Sequence, residues 1–175
     1  MRLRWHGYKY YPYEKELALR EVESLLRPIA IRQEDGSVVV DRPATAGAAN
    51  RLVYFASVIS DGHEPLLTHQ RVLERVNGNG VGRQSTRYSA HGLHKYKGKF
   101  NPQVAKAILN IFDAKAGQYA IDPFCGSGTS LVECAHLGIR ALGTDINPMA
   151  VFVANAKLQS LGIAASELSS SVTKV

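Results

Sequence analysis

The sequence predicts an α/β protein, a partial Rossmann-like sheet preceded by a helical N-terminal extension. Three observations predict it. From Pro102 onward the apolar pattern runs helix, strand, helix, strand, helix, the order of a βαβ unit with a parallel sheet and helices on its faces. A glycine pair, Gly126 and Gly128, falls where the first of those strands meets its helix, the place where doubly wound sheets bind ligands. The first 76 residues carry two amphipathic helical periods and one or two strand-like runs instead.

Taken in order, "YEKELALREVESLL" within 13–27 places Leu17, Leu19, Val22, Leu25 and Leu26 on one broad stripe, and Pro28 limits the helix. "SVVV" at 37–40 reads as a short strand after the turn "EDGS". "RLVYFASVIS" at 51–60 is rich in β-branched and aromatic residues and reads as a strand, with a buried helix as the alternative. "HEPLLTHQRVLERV" gives a second amphipathic helix over 65–76. Residues 1–76 thus form an N-terminal extension, mainly helical with one or two strands. Its aromatic stretch "WHGYKYYPYEK" suits packing better than nucleic-acid contact, because such rings are more often core.

Residues 77–101 form a Gly-rich basic loop, since three glycines in five residues propagate neither helix nor strand. It reads as a linker, or as a segment ordered by nucleic acid or cofactor. The second reading rests on Arg83, Arg87, Lys95, Lys97 and Lys99 interleaved with Tyr88 and Tyr96. "NPQVAKAILNIF" then starts a helix with proline near its beginning. "GQYAIDPF" is a short buried strand, "GTSLVECAHLG" a helix closed by Gly138, and "IRALGTDI" a second strand. "NPMAVFVANAKLQSLG" is a third helix, and "ELSSSVTKV" a frayed tail.

The chain has 175 residues, 45% hydrophobic and 21% charged, a globular composition. No apolar run reaches the roughly 18 residues of a membrane span, and the basic N-terminus lacks a signal core, so a cytoplasmic location is expected. A net charge of +6 favours a polyanionic partner such as DNA. Two cysteines, Cys125 and Cys134, give no disulfide framework, and no cluster has zinc spacing; no metal is expected.

"DPFCGSGT" decides the ligand class. A dinucleotide fingerprint requires a third glycine, and Thr129-Ser130-Leu131 supplies none. A phosphate-binding P-loop requires Gly-Lys-Ser/Thr, also absent. Asp122, at the end of the strand, repels a pyrophosphate and suits an ammonium. Asp145 ends the next strand, at a spacing typical of acidic residues that bind ribose hydroxyls. A ribose at one end and an α-ammonium at the other describe S-adenosylmethionine.

"DPFCGSGT" resembles motif I of the amino-group DNA methyltransferases, which methylate N4 of cytosine or N6 of adenine. "GTDINP" resembles the acidic turn after their second strand, and "HKYKGKFNPQVAKAIL" the H-x-Y-x-x-K-F-x-P segment before motif I. The match covers residues 91–150. It implies that residues 102–175 are the S-adenosylmethionine-binding part of a Rossmann-like methyltransferase domain. Asp122 would accept from the methionine ammonium, with Pro123, Phe124, Cys125, Gly126 and Gly128 forming the wall. Thr129 would donate to the carboxylate, and Asp145 would take the ribose hydroxyls. Ile146 and Asn147 would edge the adenine, and Lys99, Phe100 and Pro102 would close the other side. Phe124 also suits a core position, Thr129 an N-cap and Asp145 a helix cap. Cys125 is expected as a small wall residue, not a nucleophile.

These enzymes also need an Asp/Asn/Ser-Pro-Pro-aromatic tetrapeptide to hold the flipped base. The seven prolines include no adjacent pair, so no catalytic residue is assigned. The expectation is one piece of a split or truncated DNA amino methyltransferase, with DNA and a second polypeptide carrying the tetrapeptide as partners. The alternatives are a noncatalytic nucleic-acid-binding module with a vestigial pocket, and an RNA amino methyltransferase.

Overall fold

A computed structural model describes residues 1–41, 45–60, 62–74, 84–164 and 166–167. The N-terminal part is a five-stranded antiparallel sheet with helices packed on it. Its strands are β1 (Arg2–Trp5), β2 (Ile31–Glu34), β3 (Ser37–Val40), β4 (Phe55–Ile59) and β5 (Leu66–Leu67), in the order β2-β3-β1-β4-β5. The helices are α1 (Pro12–Leu26), α2 (Ala46–Arg51) and α3 (His69–Glu74).

Five strands stand where the sequence reading expects one or two. Three were missed, and two of these, β1 and β2, are short and polar. β1 alternates Arg2, Leu3, Arg4 and Trp5, so its apolar pattern is two residues long: Leu3 lies in the core opposite Val38 on β3 and Val58 on β4, and half-buried Trp5 packs on Phe55. β2, "IRQE", is an edge strand whose last three residues are exposed, and only the hairpin turn at Gly36 (φ +69°) marks it. The expected strand at 51–60 starts later, because Arg51 closes α2, and the expected helix at 65–76 begins after the two-residue β5.

Helix α1 has Pro12 in its first turn, and the Tyr11 amide donates to Glu14 Oε2 at 2.6 Å, satisfying a free N-terminal donor. Its buried stripe, Ala18, Val22 and Leu26, meets Leu3, Val38 and Phe55 in the main core. The aromatic stretch packs: Tyr8 stacks on His6, and the Tyr10 hydroxyl donates to the Tyr54 carbonyl at 2.7 Å.

The C-terminal part begins at α4 (Pro102–Ile111), capped by Asn101, whose side chain accepts from the Gln103 and Val104 amides. Then follow β6 (Tyr119–Asp122), α5 (Thr129–His136), β7 (Arg140–Gly143) and α6 (Pro148–Leu161). β6 and β7 are parallel, with Asp122 level with Gly143, which is the expected βαβ unit. Helix α4 joins the two parts. Ala107 enters the N-terminal core, and Asn110 donates to the buried Glu21 of α1 at 2.6 Å. β6 is not the buried strand expected from the sequence: among the described residues it has one neighbouring strand and nothing packed on one face, so Tyr119, Ile121 and Leu142 leave the two-stranded sheet with an exposed apolar face. Among the described residues no helix is long and apolar enough to cross a membrane.

Candidate functional site

The loop between β6 and α5 folds back on the end of β7. The Thr144 amide donates to the Asp122 carbonyl at 3.0 Å, and the Cys125 amide to the Thr144 carbonyl at 2.9 Å. The loop turns through two left-handed glycines, Gly126 (φ +50°) and Gly128 (φ +81°). Gly128 also lies against α6, where a Cβ would come within 2.8 Å of Ala154 Cβ. Gly143 is needed for a different reason: a Cβ there would meet Cys125 Cβ at 2.8 Å.

The two acidic residues shape this loop. Asp122 Oδ1 accepts from the Phe124 amide at 3.0 Å, and Oδ2 accepts from the Ser130 hydroxyl. Asp145 Oδ2 accepts from the Gly126 amide at 2.9 Å, and Oδ1 from the Asn147 amide at 2.9 Å. Asp145 therefore ties the end of β7 to the glycine turn, and each of its oxygens keeps a second lone pair for a ligand. Asn147 caps α6 by accepting from the Met149 amide at 3.0 Å.

Beside this loop lies a cleft of about 260 Å³. Of the residues expected from the sequence, Lys99, Phe100, Asp122, Phe124, Cys125, Gly126 and Thr129 line it. Phe124 is 86% exposed, so it is not a core residue. Pro123 lines an adjoining apolar groove of about 250 Å³ that shares Phe100 and Asp122 with the cleft. Pro102 is buried at the start of α4, Gly128 packs on α6, and Ile146 is fully exposed beyond Asp145. Cys125 is buried, and burial with the charges of Asp122 and Asp145 pushes its thiol up, against a nucleophilic role.

Lys99 donates to the Thr86 carbonyl at 2.6 Å. Burial, then the charges of Lys157 and Arg87, bring its ammonium down to about 8. Sequence reading missed Lys157. It is fully buried on α6 and donates to Ser127 O at 2.9 Å and Ser127 Oγ at 3.1 Å, holding the glycine turn from behind. A lysine inside the apolar run "AVFVANAKLQSL" was the available signal. Ser127, Ser130, Tyr96 and Gly98 also line the cleft without having been singled out for it.

The basic segment is anchored to α5 through one buried carboxylate. Glu133 accepts from the Tyr88 hydroxyl at 2.8 Å and from His91 Nε2 at 2.7 Å, and pairs with His136 Nδ1 at 3.2 Å. Burial works to raise this carboxyl, but the hydrogen bonds from His136 and His91 outweigh it and keep the group ionised. Arg87, Lys95 and Lys97 lie on this segment and line a second cavity next to the first. Arg83 lies outside the described residues, as do the rest of 77–83 and the tail from 168.

Residues 92–173 match the family model described as UPF0020: RMKL-like, methyltransferase domain. The chain is similar to the type II methyltransferase M.MjaII of Methanocaldococcus jannaschii, 47% identical over 73 residues, 42% of this chain and 14% of that protein. It is also similar to a tRNA (guanine(10)-N2)-dimethyltransferase of Methanothermobacter thermautotrophicus, 38% identical over 68 residues, 39% of this chain and 20% of that one. The type II methyltransferase M.MvaI of Kocuria varians is 33% identical over 93 residues, covering 50% of this chain and 20% of its own length. The chain thus spans a fifth or less of these three relatives. A crystal structure of TrmN from Thermus thermophilus superposes with a TM-score of 0.48 at 17% identity, over 92% of this chain and 69% of that one.

Residues 92–173 are thus similar to methyltransferase-domain sequence, and that similarity implies S-adenosylmethionine as the methyl donor. The residues present fit that molecule. One cleft offers a carboxylate, Asp122, and an ammonium, Lys99, the donor set a zwitterionic amino acid requires. The missing Cβ at Gly126 leaves the Tyr96 ring open to a ligand, with the nearest ring carbon 3.8 Å from where that Cβ would be.

Proposed function

We propose that this chain supplies the cofactor-binding part of a methyltransferase that modifies an exocyclic amine of a DNA base, N4 of cytosine or N6 of adenine. The observation that carries this reading is Asp122 and Lys99 facing one cleft, with Asp145 on the adjoining strand end. When bound, S-adenosylmethionine supplies an electrophilic methyl group on sulfonium. Asp122 holds the α-ammonium and Lys99 the carboxylate. Asp145 takes the ribose hydroxyls on the lone pairs that its backbone donors leave open. Phe100 and Phe124 exclude water from the reacting end. Holding donor and acceptor in line supplies most of the acceleration.

The chain contains no Pro-Pro-aromatic tetrapeptide, so the target base is held by residues outside it. A second polypeptide in that role is consistent with the exposed apolar face at Tyr119, Ile121 and Leu142, since parallel sheets are normally covered on both faces. A second reading, an RNA amino methyltransferase, is favoured by the likeness to tRNA dimethyltransferases.

The test is transfer of a labelled methyl group to mixed DNA and to bulk tRNA, with and without the product of the neighbouring gene. Label in N4-methylcytosine or N6-methyladenine supports the proposal. Label in tRNA alone replaces it with the second reading, and no transfer under any condition favours a noncatalytic module.

A further inference from the structure

The second cavity, about 330 Å³, shares Tyr96 and Lys99 with the cofactor cleft. Arg87, His94, Lys95 and Lys97 complete its charged lining, and among the described residues no acidic side chain lines it. A concave surface lined this way selects an anion. His91 forms part of the same wall and is 1% exposed. Its Nε2 is held by Glu133, while its Nδ1 is buried without a hydrogen-bond partner. A buried polar atom left unpaired in a folded protein calls for an explanation, and a ligand is one. Burial, with the charges of Lys99 and His136, lowers the proton affinity of the His91 ring, and the Glu133 carboxylate opposes this. An anion bound in the cavity adds to Glu133 and favours the protonated imidazole, whose Nδ1–H then donates to the anion.

We propose that this cavity is a phosphate subsite, which takes one phosphodiester of the nucleic-acid strand whose base is delivered to the neighbouring cofactor cleft. The phosphate chemistry stands on the cavity alone, and its assignment to a substrate strand rests on the function proposed above. Lys99 forms the common wall, so a strand fixed by its backbone here lies within one side chain of the methyl donor's site.

Two measurements test it. In ¹⁵N NMR of the histidine rings, titration with inorganic phosphate shifts the His91 Nδ1 resonance and leaves that of His6, in the N-terminal core, unmoved. In fluorescence anisotropy with a 12-nucleotide single strand, Lys95→Ala/Lys97→Ala weakens binding at least tenfold and lowers the salt slope by about 1. Lys9→Ala/Lys15→Ala, which removes the same charge elsewhere, changes the affinity less than twofold. Equal losses in the two double variants, or a His91 ring that ignores phosphate, overturn the proposal. Phosphate binding without loss of strand affinity in Lys95→Ala/Lys97→Ala overturns the assignment to a strand and leaves a small-anion site. Wild-type affinity for S-adenosylmethionine, measured in parallel, separates failure of this subsite from failure of the cofactor reading.

Discussion

Alanine at each glycine of the Gly126-Ser127-Gly128 turn should have two distinct effects, because the two positions are glycine for different reasons. At Gly126 the backbone is left-handed (φ +50°), and an added Cβ meets only Tyr96 Cε1, at an ordinary 3.8 Å. The cost is then conformational, roughly 1–2 kcal/mol. At Gly128 (φ +81°) the same conformational cost applies, and the Cβ also lands 2.8 Å from Ala154 Cβ and 3.1 Å from Ala154 Cα. The second of these atoms is helix backbone, so α6 must move, carrying the Lys157 tether to Ser127 with it. Overpacking of this kind adds about 1–3 kcal/mol, for a total of about 2–5 kcal/mol. Urea unfolding reads the stability and calorimetry the cofactor affinity. Gly126→Ala should lose only the conformational cost of roughly 1–2 kcal/mol, yet bind S-adenosylmethionine at least tenfold more weakly, because its methyl enters the cleft toward Tyr96. Gly128→Ala should be the more destabilised of the two. Equal destabilisation, or full cofactor affinity in Gly126→Ala, would refute the reasoning.

Two further outcomes follow from buried carboxyls. Burial raises the Glu21 carboxyl from its ordinary 4.5 to about 8, against hydrogen bonds from Asn110 and the Val53 amide. The folded state therefore binds the extra proton. Stability should fall as pH rises between about 4.5 and 8, by up to about 1.4 kcal/mol per unit, and then level off. Urea unfolding at pH 5, 6.5 and 8 should show this slope, and Glu21→Gln should flatten it. Glu133→Ala, which leaves Tyr88, His91 and His136 without their shared acceptor, should cost about 3–5 kcal/mol in the same assay. A cost below about 1 kcal/mol would mean that the basic segment is anchored by other contacts.

The βαβ unit was legible because its signals are local. Asn101 and Asn147 each cap a helix ahead of a proline, Gly138 closes α5, and the apolar runs between them are unbroken. Asp122 in the cleft and Asp145 beside it were legible for the same reason, since a strand end and a glycine turn fix both by chain position alone. The N-terminal sheet was legible only in β3 and β4, because its edge strand "IRQE" buries almost nothing and β5 has two residues, too few for a period to show. The reach of Lys157 to Ser127 and the convergence of Tyr88 and His91 on Glu133 were also hidden. They join residues 30 to 45 positions apart through tertiary packing. Where Glu133→His136 lies within one helix turn, the spacing was visible but its meaning depended on the partners from the other segment.

The most direct test of the central claim is calorimetric titration of the purified chain with S-adenosylmethionine, alongside Asp145→Ala. The account predicts one molecule bound per chain, with affinity at least tenfold weaker in the variant. A folded chain that takes up no S-adenosylmethionine, or a variant that binds it as tightly as the wild type, would contradict it.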